Sequence, residues 1–280
     1  MSKYYCLVAG LPDIHLEDTK LSYTVADFRT EIYPDLSSAD KKLIDLFYLK
    51  FDNRNLIKLL NDKDAVTDNR GNYTGQELLD LITQVRDGVN EESLAYPTYL
   101  IDFISYYYSE NNDDNAAVQE DYLSSLYFEY AMRSKNEFIV SWFEFNLNLN
   151  NILAALVSRK YKQDAARSIV GNTDVSIALK TSGARDFGLT GEVDYFEPLL
   201  KMTEVDDLVE REKKIDILKW KWLENATFFN YFTIERIFAF LLQLEMVERW
   251  ILMDKERGSK LFRQMIDSLK NDVQIPVEFR

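Results

Sequence analysis

One cysteine (Cys6), one histidine (His15), five prolines and nine glycines are all that 280 residues supply of these types. A single thiol excludes a disulfide framework and a cysteine-based zinc finger, and a single imidazole excludes a multi-histidine metal cage. It also leaves every serine and the cysteine without a nearby histidine base, so nucleophilic triads fail. So little glycine and proline excludes a disordered or fibrous polypeptide. Positive charge is scarce: 33 Lys and Arg stand against 47 Asp and Glu, a net −14. That balance argues against a nucleic-acid partner and against adsorption to anionic lipid. Long apolar runs are missing too. The stretch from Tyr4 to Leu11 falls short of the roughly 20 apolar residues a membrane span needs. It also lacks the basic lead and small-residue cleavage site of a secretory signal. The apolar stretches near 228–234 and 237–242 are interrupted by Asn230, Glu235 and Arg236. The expectation is a soluble cytoplasmic protein, peripheral to something larger and without direct membrane insertion. The lone thiol fits a reducing compartment.

What is present is helical periodicity. Leu43, Leu46, Phe47, Leu56, Leu59 and Leu60 follow steps of three and four. Ser37-Ser38-Ala39-Asp40 offers a cap before them. Asp68-Asn69-Arg70-Gly71-Asn72 is turn chemistry, after which Thr74 caps a helix with Glu77 as its capping-box partner. Pro97 opens a short helix through Tyr108. Glu110–Asp121 reads as a loop or hinge. A helix from Asp121 to Tyr161 would be about 60 Å long, so a break near Ser134-Lys135-Asn136 is expected. Residues 167–198 carry four glycines and read as a long connection. Helices return over 205–223, 233–254 and 259–271. Only YYCLVAG near the N-terminus and the VQIPVEFR tail read as extended. The outcome is an all-α chain divided into an N-terminal segment 1–34, helical bundles 35–110 and 111–166, a loop-rich connection 167–198, and a third bundle 199–280.

Possible chemical constellations are few. Asp206, Asp207 and Glu210 have the DDxxE spacing with which carboxylates one turn apart share magnesium and hold a diphosphate. A second site built on Asn112, Asp113 and Glu120 imitates the pattern poorly, and an acidic first helical turn explains the first motif. Gly183, Gly188 and Gly191 lack the trailing Lys-Ser/Thr of a phosphate loop. Taking Glu77 as the last ligand of a calcium loop would make Val66 the first, which cannot bind a cation. Glu245 and Glu248 lie one turn apart without the histidines of a di-iron site, and Glu245 faces Arg249 at i,i+4. No catalytic, cofactor or metal residue is assigned. Tyr106-Tyr107-Tyr108 and Phe228-Phe229-Asn230-Tyr231-Phe232 exceed what one helix face buries, which fits a core wrapped on several sides and an interface equally.

Each block carries a similar phrase: FDNRNLIKLL (Phe51–Leu60), FEFNLNLNNILAALVSRKY (Phe143–Tyr161) and ERIFAFLLQLEMVERWILM (Glu235–Met253), the last followed by KLFRQMIDSL. In the first two an aromatic is followed by Asn and a Leu/Ile-rich helix ending in or near a basic residue. The third has Glu245, Glu248 and Arg249 instead. Over about 40–270 this resembles the central-stalk connector family (the C or d component) of V/A-type rotary ATPases. The N-terminal YYCLVAGLPDI is also similar to a bacterial family of unassigned proteins whose genes accompany those of such ATPases. Position by position, Asn55 matches the connector family's Asn. Asn151 matches when followed by Ile152, with Asn148 its rival, and Arg159 or Lys160 is the basic residue after that helix. The resemblance implies three related helical bundles in a pseudo-threefold funnel, with no cofactor and no catalysis. Its partners would be the central-stalk subunits and the membrane proteolipid ring. At 280 residues three bundles are a lean fit, so one is expected to be trimmed, the second or third. The competing expectations are an all-helical magnesium enzyme using Asp206, Asp207 and Glu210, and a generic acidic helical adaptor.

Overall fold

The computed structural model of the chain describes residues 4–88, 95–110, 112–113 and 115–272, with side chains described through 256. Among these residues every regular element is helical. They are α1 (Tyr5–Ala9), α2 (Val25–Asp27), α3 (Ser38–Asn61), α4 (Gly75–Arg86), α5 (Thr98–Tyr107), α6 (Ala116–Met132), α7 (Glu137–Lys160), α8 (Asp174–Thr181), α9 (Phe196–Met202), α10 (Leu208–Thr227) and α11 (Ile234–Asp272). α2 runs directly into a π turn at Phe28–Ile32 and a 3-10 turn at Tyr33–Asp35.

Local chemistry sets these boundaries. Ser37 accepts from the Asp40 N–H to start α3, and Asn136 accepts from the Ile139 N–H to start α7. A side-chain oxygen at the cap satisfies one of the four amides that a helix start leaves unpaired. The expected break near Ser134-Lys135-Asn136 is real: α6 stops at Met132 and Asn136 caps the next helix.

Several expectations are corrected. The YYCLVAG stretch is helix α1, closed by the Val8 N–H bonding the Tyr4 carbonyl. A short apolar run reads alike as strand or buried helix, because periodicity needs more turns to show itself. The hinge expected over Glu110–Asp121 is shorter, since Asn115 caps α6 by accepting from the Ala117 N–H. The glycine-bearing stretch 167–198 holds α8 and the start of α9. The two helices expected over 233–254 and 259–271 are one, and Gly258 lies inside it. An interior glycine costs about 1 kcal/mol against alanine, which a long helix absorbs. The VQIPVEFR tail lies outside the described residues.

The chain divides into two compact units, 36–229 and the pairing of 1–35 with 230–280. In the larger unit α3 packs on α4, α4 on α5, α5 on α6, and α6 back onto α3. Of the following four helices, α7 packs against α8 and α9, and α9 against α10. The Tyr127 hydroxyl on α6 donates to the Leu46 carbonyl on α3 at 2.7 Å. Its counterpart is Trp222 on α10, which stacks on Phe145 of α7 with centroids 5.1 Å apart and also meets Trp142 and Phe138. In the smaller unit α2 packs on α11.

Candidate functional site

Three i,i+3 pairs stand on the long helices: Asp52 with Asn55 on α3, Asn148 with Asn151 on α7, and Glu245 with Glu248 on α11, and of these only Asp52 was not singled out from the sequence. The steps between pairs are near-equal, about 96 residues. Spacing of three puts both members on one helix face.

The first pair fastens the loop leading into α4. Asn55, fully buried, donates to the Asp68 carbonyl at 2.8 Å and accepts from the Asp68 N–H at 2.7 Å. One carboxamide thus satisfies both backbone groups of one loop residue, having a donor and an acceptor side by side without any charge. Asp52, equally buried, accepts from the N–H groups of Asn72 and Tyr73 at 2.9 and 3.1 Å. Two backbone donors meet the cost of burying a carboxylate. Gly71 is required here because a Cβ would overlap the Asp52 carboxylate. Immediately beyond, Thr74 and Glu77 close a capping box over the start of α4. The Asp68 carboxylate is taken by Arg70 in a forked contact, 2.6 Å at its shortest. Those bonds hold its carboxyl below the usual range against the opposing effect of burial. With Asp68 and Glu77 so engaged, the stretch is a braced turn.

The second pair repeats the device. Asn151 donates to the Val170 carbonyl at 2.7 Å and to the Ser176 hydroxyl at 3.0 Å, and accepts from the Val170 N–H at 3.0 Å. Asn148 accepts from the Thr173 hydroxyl at 2.6 Å. Thr173 in turn caps α8 by accepting from the Ser176 N–H. Gly171 takes φ +74°, a left-handed conformation that glycine adopts freely. Asn148 and Asn151, rivals by sequence, are therefore both used, one on the cap and one on the loop.

On α11 it is Glu248 that works on the N-terminal segment. Glu248 accepts from the Val25 N–H at 2.9 Å, at the first residue of α2, and Thr24 and Asp27 close a capping box there. Each pair thus engages a group within two residues of a capping threonine: Thr74, Thr173 or Thr24. Of the remaining expected residues, Arg159 at the end of α7 donates to the carbonyls of Ala184 and Arg185 at 2.8 and 2.5 Å. Its guanidinium lies 3.6 Å from the Phe187 ring centroid. It pins the loop in which Phe187 and Gly188 both take positive φ. Arg249 sits 5.7 Å from the Trp250 ring, and Glu245 lies one turn before Glu248 on α11.

Two of the three carboxylates considered for magnesium have other work. Asp207 is the N-cap of α10, accepting from the N–H groups of Val209 and Glu210. Glu210 pairs with Lys214 at 2.8 Å. Among the described residues no group of three or more His, Cys, Asp or Glu is placed to hold a metal ion. No helix of theirs is long and apolar enough to cross a membrane.

Sequence reasoning passed over Asp52, Thr24 and Thr173. Their signal was there: Tyr23-Thr24-x-x-Asp27 matches Tyr73-Thr74-x-x-Glu77, and Gly171-Asn172-Thr173 echoes Gly71-Asn72-Tyr73-Thr74.

These features define an all-helical chain in which a buried Asn grips loop backbone on α3 and again on α7, while Glu248 on α11 accepts from the Val25 N–H. A family model described as "Protein of unknown function (DUF2764)" matches residues 1–273, and the chain belongs to that family. Comparison with curated proteins and with solved structures finds no match.

Proposed function

We propose that the chain is a non-catalytic connecting component of a V/A-type rotary ATPase, joining the central stalk to the membrane proteolipid ring. The observation that carries this reading is the thrice-repeated pair on α3, α7 and α11. Three like helical modules are what the resemblance to the connector family calls for, and Asn55, Asn151 and Glu248, all matched to that family, are used in the fastenings.

The chemistry of the fastenings suits a part that bears load. Asp52, Asn55, Asn148 and Asn151 are all buried and direct their polar atoms at loop backbone and cap groups of their own chain. Buried, fully satisfied polar networks rigidify the elements they join. A rotor part transmits torque through shape and packing, so a cofactor has no task in it. The net charge of −14 favours a basic partner surface and raises the rate of encounter with one.

Purification of a tagged chain from native membranes in mild detergent tests the proposal. Recovery of the stalk and catalytic subunits in fixed proportion is the expected result. Recovery of the chain alone, from membranes whose ATPase is demonstrably intact, would refute it.

A further inference from the structure

The aromatic run Phe228-Phe229-Asn230-Tyr231-Phe232 is left unused by the fastenings, and from Asn225 to Ile234 the chain has no charged residue. That gap is long for a chain in which 29% of residues are charged. A longer uncharged stretch, Phe145 to Ser158, lies in α7 and is largely buried. At the end of α10 the reverse holds. Phe229 is 92% exposed and Phe228 72%. Every other phenylalanine with a described side chain is buried or half-buried.

Both residues belong to the larger unit and sit on an anchored helix end. Trp222 on α10 stacks on Phe145 of α7, and Leu223 beside it is buried. The buried Thr227 hydroxyl donates to the Leu223 carbonyl at 2.8 Å, and the Phe228 N–H closes the helix on the Asn225 carbonyl. At that cap the two rings meet edge to face, with centroids 5.0 Å apart. They make a projecting apolar knob on a fixed mount.

Aromatic residues with no charge among them are the composition of an interface core. Area restricts the occupant. A buried phenylalanine removes about 150–250 Å² from water, so the pair supplies about 300–500 Å². A stable two-body interface needs about 800 Å² from each partner. The knob is too small to hold a second copy by itself and suits one contact among several in a larger assembly. Charge narrows the choice further. The net −14 of the chain favours a basic partner surface, but none of that charge falls between Asn225 and Ile234. An uncharged surface matches an apolar one, because no ion is desolvated when they meet. Of the two partners proposed above, the ring is the one built of membrane-spanning helices, which are apolar by necessity.

We propose that Phe228 and Phe229 seat the chain in an apolar socket on the proteolipid ring. The assignment rests on the rotary-ATPase reading and adds which part of the chain meets the ring.

Photo-crosslinking tests it, with p-benzoylphenylalanine placed at position 229 of the full chain and irradiated in native membranes. The expected product is an adduct with the proteolipid subunit, identified by mass spectrometry. An adduct with lipid, with a second copy or with a stalk subunit, or no adduct at all, would overturn the assignment while the chain still purifies with the ATPase. If the chain purifies without any ATPase subunit, the rotary-ATPase reading falls and takes the assignment with it. A second measurement uses the double variant Phe228→Ser/Phe229→Ser. Both side chains face water, so its urea midpoint should match the parent's. Its affinity for purified rings in nanodiscs should fall by about tenfold or more, as when aromatic anchors are truncated. Parent-like affinity would overturn the assignment.

Discussion

Replacing Asn151 by alanine should destabilise the larger unit by about 3 kcal/mol. The side chain is 2% exposed and joins three hydrogen bonds, two with the Val170 backbone and one with the Ser176 hydroxyl. Alanine removes all three at once. An ordinary intramolecular hydrogen bond contributes about 1 kcal/mol net, and a partner stranded out of water raises that to about 1–3. Val170 is only half-buried and its groups can turn to water, and the buried Ser176 hydroxyl keeps the Val170 carbonyl and the Thr173 hydroxyl as partners, so no group is stranded. Three ordinary losses at about 1 kcal/mol each sum to about 3 kcal/mol. At about 2–4 °C per kcal/mol for a unit of this size, the midpoint should fall by roughly 5–15 °C. Urea titration with tryptophan fluorescence reads the change, because Trp142 and Trp222 lie 5.5 Å apart in the same repeat. Asn151→Asp should be worse than alanine: it keeps the acceptor for Val170 N–H but sets a buried charge against the Val170 carbonyl. A loss under about 0.5 kcal/mol for Asn151→Ala, within the range of ordinary surface substitutions, would refute the claim that this side chain holds the repeat together.

Other consequences follow from the same geometry. Gly71→Ala should cost about 1–3 kcal/mol by overpacking, since the new Cβ meets the Asp52 carboxylate; a parent-like urea midpoint would contradict it. Thr74→Ala and Thr173→Ala should each cost about 1 kcal/mol as lost caps, read in the same titration. Asp68 has a folded pKa below its unfolded one, owing chiefly to Arg70. Its contribution is therefore complete above about pH 4 and is lost as pH falls through the lower folded value. Asp68→Asn should flatten the acid limb of the stability curve, and an unchanged limb would speak against the pairing. Arg159→Ala should make the 184–187 loop more susceptible to limited proteolysis, having lost two carbonyl contacts and the Phe187 stack; an unaltered cleavage pattern would show that the loop holds its own shape.

The long helices were legible because their signals are local and redundant. Ser37 and the Thr74–Glu77 box announced α3 and α4, and apolar steps of three and four ran on far enough to be unambiguous. Length failed as a guide at α1, where five residues are too few for a period to appear. Glycine misled at Gly258, whose cost is small beside the cooperativity of a 39-residue helix. The Asn55 and Asn151 positions were visible as a repeated phrase, but their task was not. What they grip is loop backbone 13 and 19 residues away, and backbone groups leave no trace in sequence. The partner of Glu248 was hidden most thoroughly. Val25 lies at the other end of the chain, and reading along the sequence treats the two ends as separate segments. Packing instead joins residues 1–35 with 230–280.

The most direct test of the proposed role is electron cryomicroscopy of ATPase particles purified through a tag on this chain. The account predicts density for one copy at the junction of central stalk and proteolipid ring, with α3, α7 and α11 each traceable beside their fastened loops. Intact particles with that junction filled by another protein, or this chain bound elsewhere, would contradict it.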